Sequence, residues 1–250
     1  MENFIVLTYI FIYGILIGSF LNVCILRIPA GESIVTGRSH CDNCNTRIKW
    51  YDLIPIFSYI LLRGKCRNCK TKISIQYPMI EALNGILYVL VFYCKGINLL
   101  SAAYCLVISA LIVLSVIDFR TNTIPFGINI FIFVMGLVVL ALDYRHFYDY
   151  LIGFFAVSGF LYLIYIFTKG NGMGGGDIKL MAAAGVVLGW KLIILAFFLG
   201  CIYGSVIHPF RMLLFKQGKV MAFGPYLSLG IMTAIFFGEN MIHWYLSLFI

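Results

Sequence analysis

The 250-residue chain is 62% hydrophobic and only 11% charged, with a mean hydropathy of +0.99. Soluble domains average about 45–50% apolar and about 25% charged residues, so a soluble globular protein is excluded. The net charge of +8 would suit nucleic acid, but in so apolar a chain basic residues mark cytoplasmic loops.

Taken in order, the apolar runs predict an all-α, polytopic membrane protein of about eight transmembrane helices, at about 4–25, 79–94, 97–117, 125–142, 149–168, 178–190, 192–209 and 222–238. The first has no charged region before it and no small-residue cleavage site after it, so it reads as a retained span. The sixth is short for a full crossing, and the glycine loop before it is expected to dip into the membrane. With Met1 outside, the cytoplasmic connections are 26–78, 118–124, 169–177 and 210–221. All but three of the eighteen basic residues (Lys95, Arg145 and Lys191) then lie inside, with Lys179 counted at the edge of the third. That asymmetry fixes the orientation, with the N-terminus outside the cell (cytoplasmic) membrane. One segment separates from the rest, the polar stretch from about 27 to 78. No internal repeat or low-complexity segment is expected.

Within that segment, Cys41-Asp-Asn-Cys44 and Cys66-Arg-Asn-Cys69 are two C-x2-C pairs with twenty-one residues between them. Each pair aims two sulfurs at one point, and two such turns complete a four-thiolate zinc site. Such a site has no open position for a catalytic water, so its Zn2+ would be structural, folding a small ribbon. A redox dithiol and a metal-free cluster are the alternatives; cytoplasmic placement argues against structural disulfides. The other four cysteines, Cys24, Cys94, Cys105 and Cys201, lie singly in or beside apolar runs and read as small hydrophobes. Arg63, Lys65, Arg67, Lys70 and Lys72 beside Trp50 and Tyr51 would suit nucleic acid. Next to a membrane they suit anionic lipid headgroups better, so membrane lipid is an expected partner and nucleic acid is not.

The chain has ten acids, and most fall in polar connections. Asp118 and Asp177 instead sit against the ends of apolar runs, where an ionisable residue is by default a functional candidate with a partner. The third span runs inward and ends at Asp118. The sixth starts after an inside loop, Gly172-Met-Gly174-Gly-Gly176-Asp177. Both acids therefore fall at the cytoplasmic boundary, as a hydrolytic dyad requires, with Gly174 and Gly176 leaving room for a substrate backbone. One carboxylate would take a proton from water while its protonated partner hydrogen-bonds the scissile carbonyl. Simpler readings stay open: Asp118 as a charge paired with Arg120 or Lys179, and Asp177 as a helix cap. A phosphate loop lacks both the preceding strand and a G-K-[ST] ending.

The chain resembles the type IV prepilin peptidases, intramembrane aspartyl proteases of the GxGD kind, over nearly its whole length. The resemblance is carried by Gly18-Ser-Phe-Leu-Asn22-Val, Arg27-Ile-Pro29, Gly31-Glu32-Ser33, Trp50-Tyr51-Asp52-Leu-Ile-Pro55 and Tyr77-Pro78-Met-Ile-Glu81. Asp118 with Ile124-Pro125, Gly174-Gly-Gly176-Asp177 with Lys179-Leu180, and Phe223-Gly224-Pro225-Tyr226-Leu227 complete it. It implies cleavage of the basic leader of prepilin-like substrates after a glycine at the cytoplasmic face. It also implies methylation of the new N-terminus by S-adenosylmethionine, for which no Rossmann-type site is visible in the sequence. Glu81 is a candidate for substrate contact or methylation, or a first-turn helix acid. The resemblance divides the chain into a first transmembrane helix (1–26), the zinc-ribbon, substrate and methylation segment (27–78) and a membrane-embedded peptidase domain (79–250). Phe126 stands where many relatives carry an acid, leaving Asp118 unambiguous as the first catalytic candidate. Two readings compete with this one: a peptidase without methyl transfer, and a non-enzymatic scaffold of a pilus or secretion assembly. Oligomeric state is not legible.

Overall fold

The computed structural model describes residues 2–248 apart from 42, 171 and 216–220. Lys216 and Lys219 of the expected fourth cytoplasmic connection, and Asp42 of the first cysteine pair, lie outside the described residues. The chain forms two compact units, Met1–Ile97 and Asn98–Ile250. Among the described residues there is no strand, only two isolated antiparallel bridges, His40 with Arg47 and Lys65 with Lys72.

Unit 1 is a helical hairpin with a polar insertion at one end. Helix α1 (Glu2–Ala30) and α3 (Gln76–Lys95) run antiparallel: an added Cβ at Gly14 would meet Gly85, one at Gly18 would meet Glu81, and Asn22 reaches Tyr77. Little apolar surface drives two helices together in lipid, so close packing and interhelical hydrogen bonds must. Asn84 Nδ2 donates to Gly14 O at 2.7 Å, and Asn22 Nδ2 to Tyr77 O at 3.2 Å. Residues between the two helices build the ribbon, a 3₁₀ turn (Trp50–Leu53) and the short α2 (Phe57–Leu61).

Unit 2 is built on α4 (Leu99–Thr121), α5 (Phe126–Leu142), α6 (Phe147–Ala156), α7 (Ser158–Phe167), α8 (Gly175–Leu188), α9 (Trp190–Phe215) and α10 (Gly224–Leu246). The sequence of α8, Gly-Gly-Asp-Ile-Lys-Leu-Met-Ala-Ala-Ala-Gly-Val-Val-Leu, mixes small residues with apolar ones, and its neighbours close over it. Leu180, Met181, Ala184 and Val187 have no exposed surface. Gly185 crosses Gly153 of α6 so closely that a Cβ on either would strike the other's backbone carbonyl. At 14 residues and about 1.5 Å per residue, α8 is about 21 Å long, short of the roughly 30 Å hydrocarbon layer.

Among the described residues, five helical stretches are long and apolar enough to cross a membrane: Phe4–Ala30, Gln76–Lys95, Leu99–Thr121, Tyr144–Phe167 and Trp190–Leu213. Exposed large residues such as Phe4, Tyr93, Phe167 and Phe198 face outward from them, as lipid-facing side chains do. The chain is an all-helical, multi-pass membrane protein. All eight expected runs are helical, but α5 and α8 fall below 18 residues and α10 is not among those five, so a count of eight crossings does not follow. The fifth run, expected as one span, is interrupted at Val157 between α6 and α7. There the Ser158 hydroxyl donates back to the Phe154 carbonyl, a bond that bends helices.

Candidate active site and metal centre

The four cysteines of unit 1 come together, their Sγ atoms all within 4.8 Å of one another. Cys41 Sγ and Cys69 Sγ are 3.7 Å apart. A disulfide needs about 2.05 Å, whereas four sulfurs at about 2.3 Å from a tetrahedral zinc are about 3.8 Å apart. The donor set fits zinc.

The ribbon corrects one expectation, because it is an internal repeat. Cys41-Asp-Asn-Cys-Asn-Thr-Arg-Ile48 and Cys66-Arg-Asn-Cys-Lys-Thr-Lys-Ile73 share the pattern C-x-N-C-x-T-basic-I. The halves use the same bonds in the same places. Cys41 N–H donates to Thr46 O and Cys66 N–H to Thr71 O, while Ile48 N–H reaches Ser39 O and Ile73 N–H reaches Gly64 O. Asn45 and Lys70 both take the left-handed conformation, at φ 51° and 60°. The halves are also tied crosswise: Asn43 Nδ2 donates to Thr71 Oγ1 and Asn68 Nδ2 to Thr46 Oγ1, each at 2.9 Å. Hydrogen bonding with Thr46 lowers the Cys44 thiol pKa, and hydrogen bonding with Thr71 lowers that of Cys69 to about 5. These two shifts favour thiolates at Cys44 and Cys69, whereas the Cys41 thiol is pushed up to about 11. The repeat was visible in the sequence, but attention to cysteine spacing alone passed over the Asn and Thr that complete it.

Asp52 is gripped by Arg67, with Nη2 to Oδ1 at 2.6 Å and Nε to Oδ2 at 2.9 Å, which holds its carboxyl below the usual range. Glu81 is buried, and its Oε2 accepts the Ile56 N–H at 2.8 Å. Ile56 has φ 63°, a strained backbone for a β-branched residue. Glu81 therefore holds a strained turn of the insertion onto α3.

Unit 2 brings both aspartates to one end. Asp118 lies in the last turn of α4, 4% exposed, and Asp177 in the first turn of α8, 8% exposed. Asn122 closes α4 in the left-handed conformation, its N–H reaching Asp118 O at 2.8 Å, and the chain turns through Ile124 into α5. Gly176 lies flush on that turn: an added Cβ would come 2.9 Å from Ile124 Cβ. The carboxyls are close enough to interact electrostatically.

Each acid meets the amide of a helix start. Gly224 N–H, opening α10, donates to Asp118 Oδ2 at 3.0 Å, and the Gly174 amide before α8 bonds the Asp177 carboxyl. Helix N-termini favour such anionic partners. A side chain at position 224 would stand 2.7 Å from Asp118 Oδ2, so the Phe-Gly-Pro motif is glycine where an acid is received. The helix-cap reading of Asp177 thus holds for one side of its carboxyl. Its buried Oδ1 has no hydrogen-bond partner among the described residues. Burial also sets Asp118 apart from a surface charge, and Lys179 lies 4.7 Å over the Phe126 ring instead. Sequence reasoning missed two neighbours. Asn129 on α5 donates to Gly176 O at 3.4 Å, and Arg211 lies 4.0 Å over the Phe119 ring beside Asp118.

Two buried carboxyls at one end of a helical membrane unit are groups of the kind that acid–base chemistry at a membrane requires. The comparisons make this specific. Residues 12–95 match the bacterial peptidase A24 N-terminal domain, and residues 105–208 match the type IV leader peptidase family. The chain is 34% identical over 247 residues to the prepilin leader peptidase/N-methyltransferase of Bacillus subtilis (strain 168), covering 97% of this chain and 98% of that one. It is 32% identical over 270 residues to the protein of the same name from Neisseria gonorrhoeae, covering 94% and 93%. For that of Aeromonas salmonicida (strain A449) the identity is 30% over 272 residues, covering 95% and 93%. No solved structure matches. This chain belongs to the type IV leader peptidase family.

Proposed function

We infer that this chain cleaves the leader from prepilin-like proteins and methylates the new N-terminus, the two activities in its relatives' name. It is an aspartic peptidase. The observation that carries the reading is the convergence of Asp118 and Asp177, both buried, at one end of unit 2.

Water between the carboxyls loses a proton to the ionised one as its oxygen attacks the scissile carbonyl carbon. The protonated one gives its hydrogen to the carbonyl oxygen, so a neutral tetrahedral diol forms. Collapse breaks the C–N bond. The departing nitrogen takes the proton held by the first carboxyl, and a diol hydroxyl returns one to the second. The pair ends as it began, with no covalent intermediate. The roles belong to the coupled pair rather than to either residue. Gly174 and Gly176 support the reading by letting the chain close up around Asp177: a Cβ at 174 would stand 3.0 Å from Asp177 Oδ2 and one at 176 would stand 2.9 Å from Ile124 Cβ.

We place the N-terminus outside and the ribbon and dyad on the cytoplasmic side of the cell membrane, supported by the basic-residue asymmetry. Of the three segments, 1–26 is the first span, 27–78 the ribbon, substrate and methylation segment, and 79–250 the peptidase domain. In the ribbon, Cys41, Cys44, Cys66 and Cys69 hold a structural Zn2+ whose four ligands leave no open position. Its basic rim meets anionic lipid. Glu81 stands as the substrate or methylation candidate, acting through the turn at Ile56 that its carboxylate holds. S-adenosylmethionine is the methyl donor the activity implies. None of the buried unpartnered side-chain atoms among the described residues lies in unit 1, so no cradle for it is marked there. Mass analysis of a mature substrate separates a peptidase from a peptidase that also methylates, since a methylated terminus is heavier by one methyl group. Detergent-solubilised protein that neither cuts nor methylates, yet is needed for assembly, would favour a scaffold.

A further inference from the structure

We propose that Asn129 is a positioning residue for cleavage, holding the Gly176–Asp177 peptide through the Gly176 carbonyl; this rests on the dyad reading above.

The start of α5 clasps the start of α8 at three points. Ile124 lies under Gly176, the Phe126 ring lies under the Lys179 ammonium, and Asn129 Nδ2 donates to Gly176 O. The first two contacts are apolar or cationic and carry no hydrogen-bond direction. The third is a directional bond from α5 to the first-turn peptide of α8 that carries Asp177. Asn129 is 3% exposed in an otherwise apolar helix, Phe-Gly-Ile-Asn-Ile-Phe-Ile-Phe. An amide buried merely for packing would have both ends satisfied. Here Oδ1 has no partner among the described residues, and Asp177 Oδ1 has none either. No described residue supplies a hydrogen to these two acceptors, which belong to the side chains that meet at one peptide. A hydrated peptide substrate does supply hydrogens. A displacement of the loop by about 1 Å would cost about 100-fold in rate, so an anchor on the Gly176 carbonyl matters even without touching the reactants.

The test is prepilin cleavage by the full-length protein in detergent, with Asn129→Leu and Asn129→Asp beside Asp118→Asn and Asp177→Asn. Leucine keeps the branched heavy-atom shape and removes both hydrogen-bonding ends, so kcat should fall about 10- to 100-fold with KM nearly unchanged. Aspartate keeps the shape but donates only when protonated. Its activity should approach wild type at acid pH and decline earlier than wild type as pH rises. The charged groups that α4, α8 and α9 bring to this end, Asp118, Arg120, Asp177, Lys179 and Arg211, are common to both proteins, so the difference between the profiles reports position 129. Asn129→Leu within twofold of wild type, while both aspartate variants are inactive, overturns this proposal and leaves the dyad standing. Cleavage by either Asp→Asn variant overturns the dyad reading itself. If Asn129→Leu does not fold, the pH profile of Asn129→Asp decides: a profile superimposable on wild type sinks the proposal.

Discussion

The ribbon of unit 1 and the acid end of unit 2 both gather polar side chains, and they treat them in opposite ways. In the ribbon Asn43 is tied to Thr71 and Asn68 to Thr46 across the two knuckles, and the four sulfurs close on one point. At the acid end each carboxyl has one amide partner, and buried acceptors on Asp177 and Asn129 are left over. A closed network stabilises a segment too small for an apolar core. Leftover acceptors destabilise the fold by about 1–3 kcal/mol each, so a protein keeps them where something else will bind.

The largest effect on the closed side should come from removing metal. Structural zinc contributes about 10–16 kcal/mol in finger peptides, far more than any other interaction within residues 31–75. Chelation, or Cys41→Ser with Cys66→Ser, should make that segment protease-sensitive while unit 2 stays protected. Unchanged protection would remove the structural role of the site. On the open side, Gly224→Ala puts a methyl 2.7 Å from Asp118 Oδ2 and 3.1 Å from Leu114 Cδ2. Overpacking of this kind costs about 1–3 kcal/mol. Cleavage should fall about 10- to 100-fold, the scale of roughly an ångström of misplacement, in a protein that still folds. Full activity would mean that the amide of Gly224 does not set Asp118.

Smaller still are the cross-ties. Asn43→Ala and Asn68→Ala should speed metal loss to a chelator equally, roughly two- to tenfold, the equivalent of about 0.5–1.5 kcal/mol. Unequal effects would break the equivalence of the two knuckles. The smallest effect belongs to Asp52, held below the usual carboxylate range by the Arg67 hydrogen bonds. Such a pair contributes above the ordinary value of about 3.9. Its contribution is lost as pH falls through the lower folded value. Arg67 is half exposed, so Asp52→Asn should change ribbon protection only slightly at pH 7 and not at all in strong acid.

Much of this was legible in the chain. Spans were read from apolar runs, the metal site from two C-x2-C turns, and the dyad from acids at the ends of such runs, with the family resemblance joining them. The rest was hidden for physical reasons. Gly224 is 106 residues from Asp118, and no local pattern shows that a helix start will donate to a distant carboxyl. Asn129 is one polar residue in an apolar helix, and its partner is a backbone carbonyl that any sequence would offer. A count of eight crossings does not follow at α8, the run expected to be short, because a short helix can be as apolar as a long one.

Most direct is cleavage of a prepilin-like substrate by wild type, Asp118→Asn and Asp177→Asn in detergent, with folding checked by thermal unfolding. Asparagine keeps the shape and removes the proton-carrying group. The dyad predicts that each single change abolishes cleavage in a folded protein and that methylation of pre-cut substrate survives both. A folded Asp118→Asn or Asp177→Asn that still cuts would contradict it, and that aspartate would then be no more than a buried cap.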